Sequence, residues 1–344
     1  MAFRNFLPTM LCALALAAAA LAVPGSSPAQ EVTLKLHHFL PPSSTTHAGF
    51  LKPWADKVMA ESQGRIKIDI YPVMQLGGRA PQLYDQVKDG VVDLAWTLPG
   101  YTAGRFPLVE VFELPYVTGS AVATSQALMA FYERHLKDEF KDVRVLALHS
   151  HAPGALHMAT KPIRTIEDLK GVKIRAPTRA VNAALKALGA TPVGMPVPQV
   201  PEAIARGVVE GAALPYEVTL PLRVHEITRY HTNTGLYTAV FLFAMNKARY
   251  ESLPPDLKAV IDRNSGLALA ERAGRVWDAA EAPGIAAAKA RGNTIFTLSD
   301  DEVARWKAAT RPVIDRWIAE TDARGLDGRA LYEEARALVA RYGE

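Results

Sequence analysis

The chain has 344 residues, with 39 basic and 35 acidic side chains, a formal net charge of +4 and one cysteine. The charges are interspersed without a long run of like sign, which argues against a nucleic-acid-binding arm. A chain with a single cysteine forms no internal disulfide, so its stability must come from a buried core, and this length suits two lobes.

Residues 1–29 have the features of a cleaved secretory signal peptide. Arg4 supplies a positive start, residues 7–23 are apolar, and Ser27-Pro-Ala fits cleavage after Ala29. A membrane anchor is the weaker alternative, because an apolar run of about 17 residues is at the short limit for crossing a bilayer. Cys12 lies in this segment without a lipoprotein motif. No later apolar stretch is long enough to span a membrane, so we expect a periplasmic protein that is not membrane-embedded.

The chain after residue 29 begins with alternating strands and helices. Alternation of polar and apolar residues predicts two strands, at 32–36 and 66–71, and a more continuously apolar run predicts a third, central strand at 91–96. Spacing of apolar residues on one face predicts two helices between them, at 45–59 and 81–88. Thr45 or Thr46 would cap the first of these helices. This order predicts a parallel sheet, and the loop at 97–107 would leave the carboxyl end of its central strand.

The rest of the chain also alternates predicted strands and helices. Further strands are predicted at 143–149, 173–175, 208–214 and 237–245, and residues 155–159 open the second lobe. Further helices are predicted at 118–140, 179–188, 200–206, 253–290, 299–321 and 327–342. Gly266 and Pro283 should interrupt the helix at 253–290. The strand at 237–245 is nearly all apolar, so we expect it to be buried and to return to the first lobe.

These elements predict an α/β protein of two lobes, each with a mixed or mostly parallel sheet flanked by helices. The first lobe would comprise residues 30–153 and about 236–275. The second would comprise residues 154–235 and about 276–344.

Arg175 is the candidate anchor for an anionic ligand. It ends the predicted strand that begins at Lys173, and Ala176-Pro stops that strand. Open α/β sheets bind ligands beyond the carboxyl ends of their strands, and a guanidinium grips a carboxylate with two parallel hydrogen bonds. The alternative is a surface arginine paired with a nearby acidic residue.

No motif indicates catalysis or a metal centre. The chain lacks a nucleophile elbow, a dinucleotide-binding or phosphate-loop motif, and a cysteine nucleophile beyond residue 29. His225-Glu resembles the start of a zinc-protease motif, but His231 follows six positions later instead of four. His149, His151 and His157 are close in sequence without an acidic partner, so polar or partly buried histidines are favoured over zinc ligands. We therefore expect no enzyme activity, no metal and no cofactor.

Four aromatic residues occur where loops leave predicted strands: Trp96, Tyr101, Tyr216 and Tyr237. Each alone is more typical of core or rim packing than of ligand contact. Their shared placement at strand ends favours an aromatic-walled pocket, which together with one arginine suits a small carboxylate.

Several motifs occur in order along the chain: Gln75-Leu-Gly-Gly, Lys88-Asp-Gly-Val-Val-Asp-Leu-Ala, Gly104-Arg-Phe-Pro, Val111-Phe-Glu-Leu-Pro-Tyr, Glu167-Asp-Leu-Lys-Gly-Val-Lys-Ile-Arg-Ala-Pro, Leu188-Gly-Ala-Thr-Pro-Val and Glu202-Ala-Ile-Ala-Arg-Gly-Val-Val-Glu-Gly. Together they resemble the DctP-type solute-binding proteins of tripartite ATP-independent periplasmic (TRAP) transporters. The resemblance covers almost all of the chain after the signal peptide. It implies two lobes joined by crossing strands and a long helix, ligand capture by hinge closure, and delivery to a membrane permease driven by an ion gradient.

The resemblance places the carboxylate-binding arginine at Arg175 and a neighbouring polar contact at Thr178. Where some members have a second arginine, near 154–158, this chain has Ala155, Leu156 and His157. Where many have asparagine, it has Leu214.

These departures bear on the ligand. A dicarboxylate or sugar acid would lose partners, and each unpaired buried group costs about 1–3 kcal/mol. We therefore predict an aromatic or hydrophobic monocarboxylate, held between first-lobe residues near His38, Trp96 and Tyr101 and second-lobe residues near Arg175 and Tyr216. The alternatives are a receptor for C4-dicarboxylates or for 2-oxo or hydroxy acids, with a metal ion bridging the ligand, and more distantly a secreted α/β hydrolase or lyase.

Overall fold

The computed structural model describes residues 30–343, so the predicted signal peptide at 1–29 lies outside the described residues. The strands are β1 (Val32–His37), β2 (Ile66–Tyr71), β3 (Leu94–Thr97), β4 (Val143–Ser150), β5 (Ala155–Met158), β6 (Lys173–Ala176), β7 (Thr191–Gly194), β8 (Gly211–Leu214), β9 (Tyr230–Asn233), β10 (Val240–Asn246) and β11 (Thr294–Thr297). The helices are α1 (Lys52–Glu61), α2 (Leu83–Lys88), α3 (Ala121–Phe131), α4 (Arg179–Ala187), α5 (Val200–Ala205), α6 (Tyr216–Thr219), α7 (Val224–Ile227), α8 (Lys247–Glu251), α9 (Pro255–Arg263), α10 (Leu267–Ala290), α11 (Asp300–Asp322) and α12 (Gly328–Gly343).

The first sheet has the strand order β2-β1-β3-β10-β4. β1 pairs in parallel with β2 and β3, as the alternation of strands and helices predicted. β10 is antiparallel to both β3 and β4, and every one of its residues is buried. Its place in this sheet confirms the prediction made from its apolar sequence, because a strand covered on both faces needs apolar side chains on both.

The second sheet has the order β11-β9-β5-β8-β6-β7. β6 is parallel to β7 and β8, whereas β5 is antiparallel to β8 and β9. Both sheets are mixed and flanked by helices, so the predicted two-lobe α/β fold class is confirmed. β6 lies between two parallel neighbours, and Arg175 therefore projects from a strand inside the sheet.

The short strands β7, β9 and β11 were not predicted. β7 and β11 are the two edges of the second sheet, and their residues are exposed or half-buried, so no apolar alternation marks them. Pro192 in β7 lacks an N–H donor, which an edge strand tolerates. Pairing with a neighbouring strand, and not local sequence, makes these segments extended.

The first predicted helix has a different cap. Ser44 has an extended backbone and its Oγ accepts a hydrogen bond from the His47 N–H at 3.2 Å. Thr45 already belongs to a π-type helical segment, Thr45–Leu51, that precedes α1. The prediction of a threonine cap is therefore wrong, because the extended residue that precedes the helix is the one free to cap it. At the other end of the chain, the helix predicted at 299–321 is α11, and Ser299 caps it by accepting from the Glu302 N–H at 3.3 Å.

Helix α10 is 24 residues long and continues through Pro283. Residues 264–266, with Gly266 at a φ of 75°, separate it from α9 as predicted, whereas the predicted interruption at Pro283 is wrong. Helix α10 is in close contact with α3 at Gly274 and with α6 at Gly284. A β-carbon on Gly274 would lie 2.6 Å from a carbonyl oxygen of α3, and one on Gly284 would lie 2.7 Å from a carbonyl carbon of α6. Helix α10 thus packs closely against α3, which lies on the first sheet, and against α6, which follows β8 of the second.

The C-terminal helix α12 packs against α3. Within residues 30–343, no helix combines the length and apolar character needed to cross a membrane.

Candidate functional site

A small cavity lies where the carboxyl ends of β3, β6 and β8 approach the segments around β1 and β10. Its walls are mostly apolar or aromatic, as in typical small-molecule sites. The lining residues are Phe39, Leu40, Trp96, Leu98, Tyr101, His151, Arg175, Pro177, Val197, Leu214, Pro215, Glu217, Val218, Tyr237, Ala239 and Phe241. Five of the eight predicted ligand-binding residues are among them, namely Arg175, Trp96, Tyr101, Leu214 and Tyr237.

Arg175 is the cation of this cavity. It is only 2% exposed, which excludes the alternative of a surface arginine. Its Nε donates to the Met195 carbonyl oxygen at 3.0 Å and its Nη1 donates to the Ala213 carbonyl oxygen at 2.9 Å. Within residues 30–343, no carboxylate lies within 4.0 Å of its guanidinium. Two carbonyl oxygens thus orient a buried positive charge that no protein carboxylate neutralises.

Two phenols flank the guanidinium. Burial lowers the pKa of Arg175, and the neighbouring Tyr101 and Tyr237 oppose this shift. Burial likewise raises the pKa of both tyrosines, so each keeps its proton at neutral pH. Tyr101 Oη accepts from the Val197 N–H at 3.0 Å. Tyr237 is buried, and its Oη has no hydrogen-bond partner among the described residues. A carboxylate beside Arg175 would supply the missing acceptor.

The Tyr237 ring occupies the space next to Gly154. A β-carbon at that glycine would lie 2.7 Å from Tyr237 Oη and closer still to the ring carbons. Glycine at 154 is therefore required for this position of the ring. The His151 ring meets the Tyr237 ring edge-on, with centroids 5.5 Å apart.

Trp96 forms a wall of the cavity from β3. Its ring stacks on Phe241 with centroids 4.7 Å apart, and Phe39 lies 5.1 Å away at a tilt. The indole Nε1–H donates to His149 Nε2 at 2.9 Å, which fixes the ring plane. Burial lowers the pKa of His149 to about 3, so the imidazole stays neutral and can accept this bond. The result is a rigid aromatic surface.

His151 lines the cavity and was considered from the sequence only as a metal candidate. Its Nδ1–H donates to the Ala152 carbonyl oxygen at 2.5 Å, and its Nε2 accepts from the Ala239 N–H at 3.0 Å. Burial lowers its pKa to about 4, and the charge of Arg175 acts in the same direction. His151 is thus a neutral wall residue with both ring nitrogens already bonded.

The described residues contain no group of three His, Cys, Asp or Glu side chains arranged to hold a metal ion. The His157 imidazole, which the sequence offered as a metal-ligand candidate, forms hydrogen bonds within the protein instead. Its Nε2–H donates to the Leu214 carbonyl oxygen at 3.0 Å, and its Nδ1 accepts from His231 Nδ1–H at 2.7 Å. His231 Nε2 in turn accepts from Asn293 at 3.0 Å. This chain of bonds holds the end of β8, where Leu214 meets the cavity.

Three predicted site residues do not line the cavity. His38 is buried and bonded to His47 at 2.9 Å. The Tyr216 hydroxyl donates to Asn233 Oδ1 at 3.0 Å, and its ring packs edge-on against His157. These two side chains are held by neighbours that local sequence does not indicate.

Thr178, the third of them, faces a separate opening beside Tyr101. A β-carbon on Gly100 would lie 2.9 Å from Thr178 Cβ, so the two loops touch there. The Thr178 Oγ1 has no hydrogen-bond partner among the described residues.

Several polar contacts draw the two sides of the cavity together. Besides the bond between Tyr101 and Val197, Arg179 at the start of α4 donates to Glu110 Oε1 at 3.1 Å and to Glu320 Oε2 at 2.9 Å. Glu110 belongs to the segment between β3 and α3, and it is 5% exposed. The cavity is therefore bounded by residues from both sheets held in contact.

The chain is similar to known solute-binding proteins along most of its length. A TRAP solute-binding protein from a marine metagenome, specific for aromatic acid ligands and solved with 3-hydroxybenzoate, is 49% identical, with a TM-score of 0.90 over 92% of this chain and 100% of that one. A TRAP solute-binding protein from Rhodoferax ferrireducens T118, solved with copurified benzoate, is 50% identical, with a TM-score of 0.88 over 90% of this chain and 98% of that one. The outer membrane transporter protein TsaT of Comamonas testosteroni is 30% identical over 340 residues, 96% of this chain and 97% of TsaT.

Residues 36–321 match the DctP family model, described as bacterial extracellular solute-binding protein, family 7. The match begins at the end of β1 and includes every later strand of both sheets through β11. The chain therefore belongs to the DctP family of bacterial extracellular solute-binding proteins, the solute receptors of TRAP transporters.

Proposed function

We propose that this protein is a periplasmic receptor for aromatic monocarboxylates such as benzoate and its hydroxylated derivatives. The observation that carries the proposal is Arg175, a buried guanidinium without a protein carboxylate, in a cavity walled by aromatic rings. Relatives at 49% and 50% identity hold 3-hydroxybenzoate and benzoate. An aromatic monocarboxylate would match both the positive charge of Arg175 and the aromatic wall of this cavity.

In this proposal, the ligand carboxylate lies against Arg175 and accepts a second hydrogen bond from the Tyr237 hydroxyl. The guanidinium retains N–H donors beyond those bonded to the Met195 and Ala213 carbonyl oxygens, since arginine has five. The aromatic ring of the ligand packs on Trp96 and Phe241. Arg175 is the one cation among the residues that line the cavity, so a second carboxylate would be buried without a partner.

Capture would occur by closure of the two lobes, since residues from both sheets enclose the cavity. Export rests on the predicted signal peptide, and delivery to a TRAP membrane permease rests on the family. The bound ligand would then leave only when contacts such as that between Arg179 and Glu110 separate.

A ligand screen tests the proposed specificity. Protein freed of copurified ligand by unfolding and refolding should show a large upward shift of its melting temperature with benzoate or 3-hydroxybenzoate. Succinate and malate should give none, because their second carboxylate has no cation in the cavity. Calorimetric titration should then give a Kd for the aromatic acids. A shift with the dicarboxylates and none with the aromatic acids would refute the proposal.

Tyr237→Phe tests the second hydrogen bond to the carboxylate. We expect affinity for benzoate to fall by about 10- to 100-fold, since a hydrogen bond to a charged group contributes about 1.5–3 kcal/mol. The control is Tyr216→Phe, which removes a hydroxyl bonded to Asn233 away from the cavity and should leave the Kd within about threefold of the unaltered protein. Equal losses in the two variants would show that Tyr237 does not contact the ligand.

A further inference from the structure

Glu217 is a cavity residue whose side chain accepts no hydrogen bond of normal geometry from the described residues. It lines the cavity, it is 5% exposed, and its Oε2 has no hydrogen-bond partner among residues 30–343. A buried polar group without a partner is destabilising, because it has given up its hydrogen bonds to water. Such a group in a binding site calls for a ligand atom that satisfies it.

The backbone around Glu217 is held by other groups. Glu281 of α10 accepts from the Glu217 N–H at 3.0 Å and from the Tyr216 N–H at 3.2 Å. Gly284, one turn further along α10, packs against the Tyr216 backbone. The backbone of α6 is therefore held by Glu281 and by packing on α10, and not by the carboxyl group of Glu217.

Glu113 is a second buried glutamate, but its side chain bonds to the backbone outside the cavity. It is also buried with an unpartnered Oε2, but its Oε1 accepts from the Val240 N–H at 3.0 Å, and it does not line the cavity. Glu113 thus supports the backbone at the start of β10. Glu217 forms no comparable bond.

The charge state of Glu217 suits recognition of a neutral group. Burial raises its pKa to about 8, which the nearby Thr45 and Trp277 oppose and the charge of Glu281 reinforces. Near neutral pH the group is therefore largely a protonated carboxylic acid, with one O–H donor and one acceptor oxygen. It forms no ion pair with Arg175 or any other described cation.

We propose that Glu217 is a specificity-determining residue that binds a hydroxyl group on the ring of the ligand, distant from the carboxylate held by Arg175. This inference deepens the proposed function and rests on it. A phenolic hydroxyl both donates and accepts, so it complements a protonated carboxyl, whereas an unsubstituted ring leaves Glu217 unpaired. The preferred ligands are then hydroxylated aromatic acids over benzoate itself.

The test compares hydroxyl preference in two variants, Glu217→Leu and Glu217→Gln. Calorimetry on ligand-freed protein would measure the Kd of benzoate, 3-hydroxybenzoate and 4-hydroxybenzoate. The unaltered protein should bind one hydroxybenzoate at least about tenfold more tightly than benzoate, which corresponds to ~1.4 kcal/mol. Glu217→Leu should reduce that ratio to about threefold or less. Glu217→Gln, which keeps a donor and an acceptor, should retain a clear preference.

Glu113→Gln is the matched control, because it alters a buried carboxyl outside the cavity and should leave the ratio unchanged. Thermal unfolding of each variant reports whether it is folded, and Glu217→Gln keeps the test decisive if the leucine variant is not. An undiminished hydroxyl preference in Glu217→Leu, or none in the unaltered protein, would overturn the inference while benzoate binding still supports the proposed function. Failure of every aromatic acid to bind the unaltered protein would overturn both.

Discussion

Replacing Arg175 by methionine is expected to weaken benzoate binding by about 100- to 1,000-fold. Loss of one partner of a buried, hydrogen-bonded charge pair costs about 2–5 kcal/mol, because the remaining charge stays desolvated and unpaired. Within residues 30–343 no other lining residue is a cation, so nothing nearby replaces the guanidinium. Calorimetric titration of ligand-freed variant and unaltered protein measures the loss directly.

Lys173→Met provides the control for Arg175. Lys173 lies two residues earlier on β6 and is exposed, so its removal changes net charge equally without touching the cavity. Its Kd should stay within about threefold of the original. Arg175→Lys should recover only part of the lost affinity, because an ammonium lacks the planar fork of donors. If Arg175→Met bound benzoate as tightly as Lys173→Met does, the carboxylate site would lie elsewhere.

Gly284→Ala is expected to destabilise the fold by about 2–4 kcal/mol. The added β-carbon would lie 2.7 Å from the Tyr216 carbonyl carbon and closer to its oxygen. Both atoms belong to the backbone of α6, so no side-chain rotation relieves the clash, and α10 or α6 must move. Alanine favours a helix over glycine by about 1 kcal/mol, and this gain only partly offsets the clash. Chemical denaturation of ligand-free protein gives the change in unfolding free energy.

Because α6 carries Glu217 and follows Leu214, the Gly284→Ala variant should also bind aromatic acids more weakly. Ala286→Ser, an equally small change at an exposed position of α10, should stay within about 0.5 kcal/mol of the original stability. A Gly284→Ala variant as stable as Ala286→Ser would show that α10 is not closely packed on α6.

Elements with a strong periodic pattern were predictable from the sequence. β1 and β2 alternate polar and apolar residues, β10 is continuously apolar, and Ser299 precedes an acidic first turn of α11. The local sequence alone therefore indicates each of these elements. The family motifs identified a solute receptor, and family membership confirms the expectation of a protein that is not an enzyme. β7, β9 and β11 have no such pattern, since hydrogen bonds from neighbouring strands define them.

The α/β alternation, the position of Arg175 at a strand end and the aromatic residues at other strand ends could be predicted from the sequence, because strand periodicity and turn residues are local properties. The folded structure was needed to show which of these residues share a cavity. It brought in Phe39, His151, Glu217 and Phe241. It also excluded Tyr216, whose hydroxyl is bonded to Asn233. The reason is physical: where a side chain points beyond its strand depends on partners distant in sequence, as when Glu281 of α10 holds the backbone that presents Glu217 to the cavity.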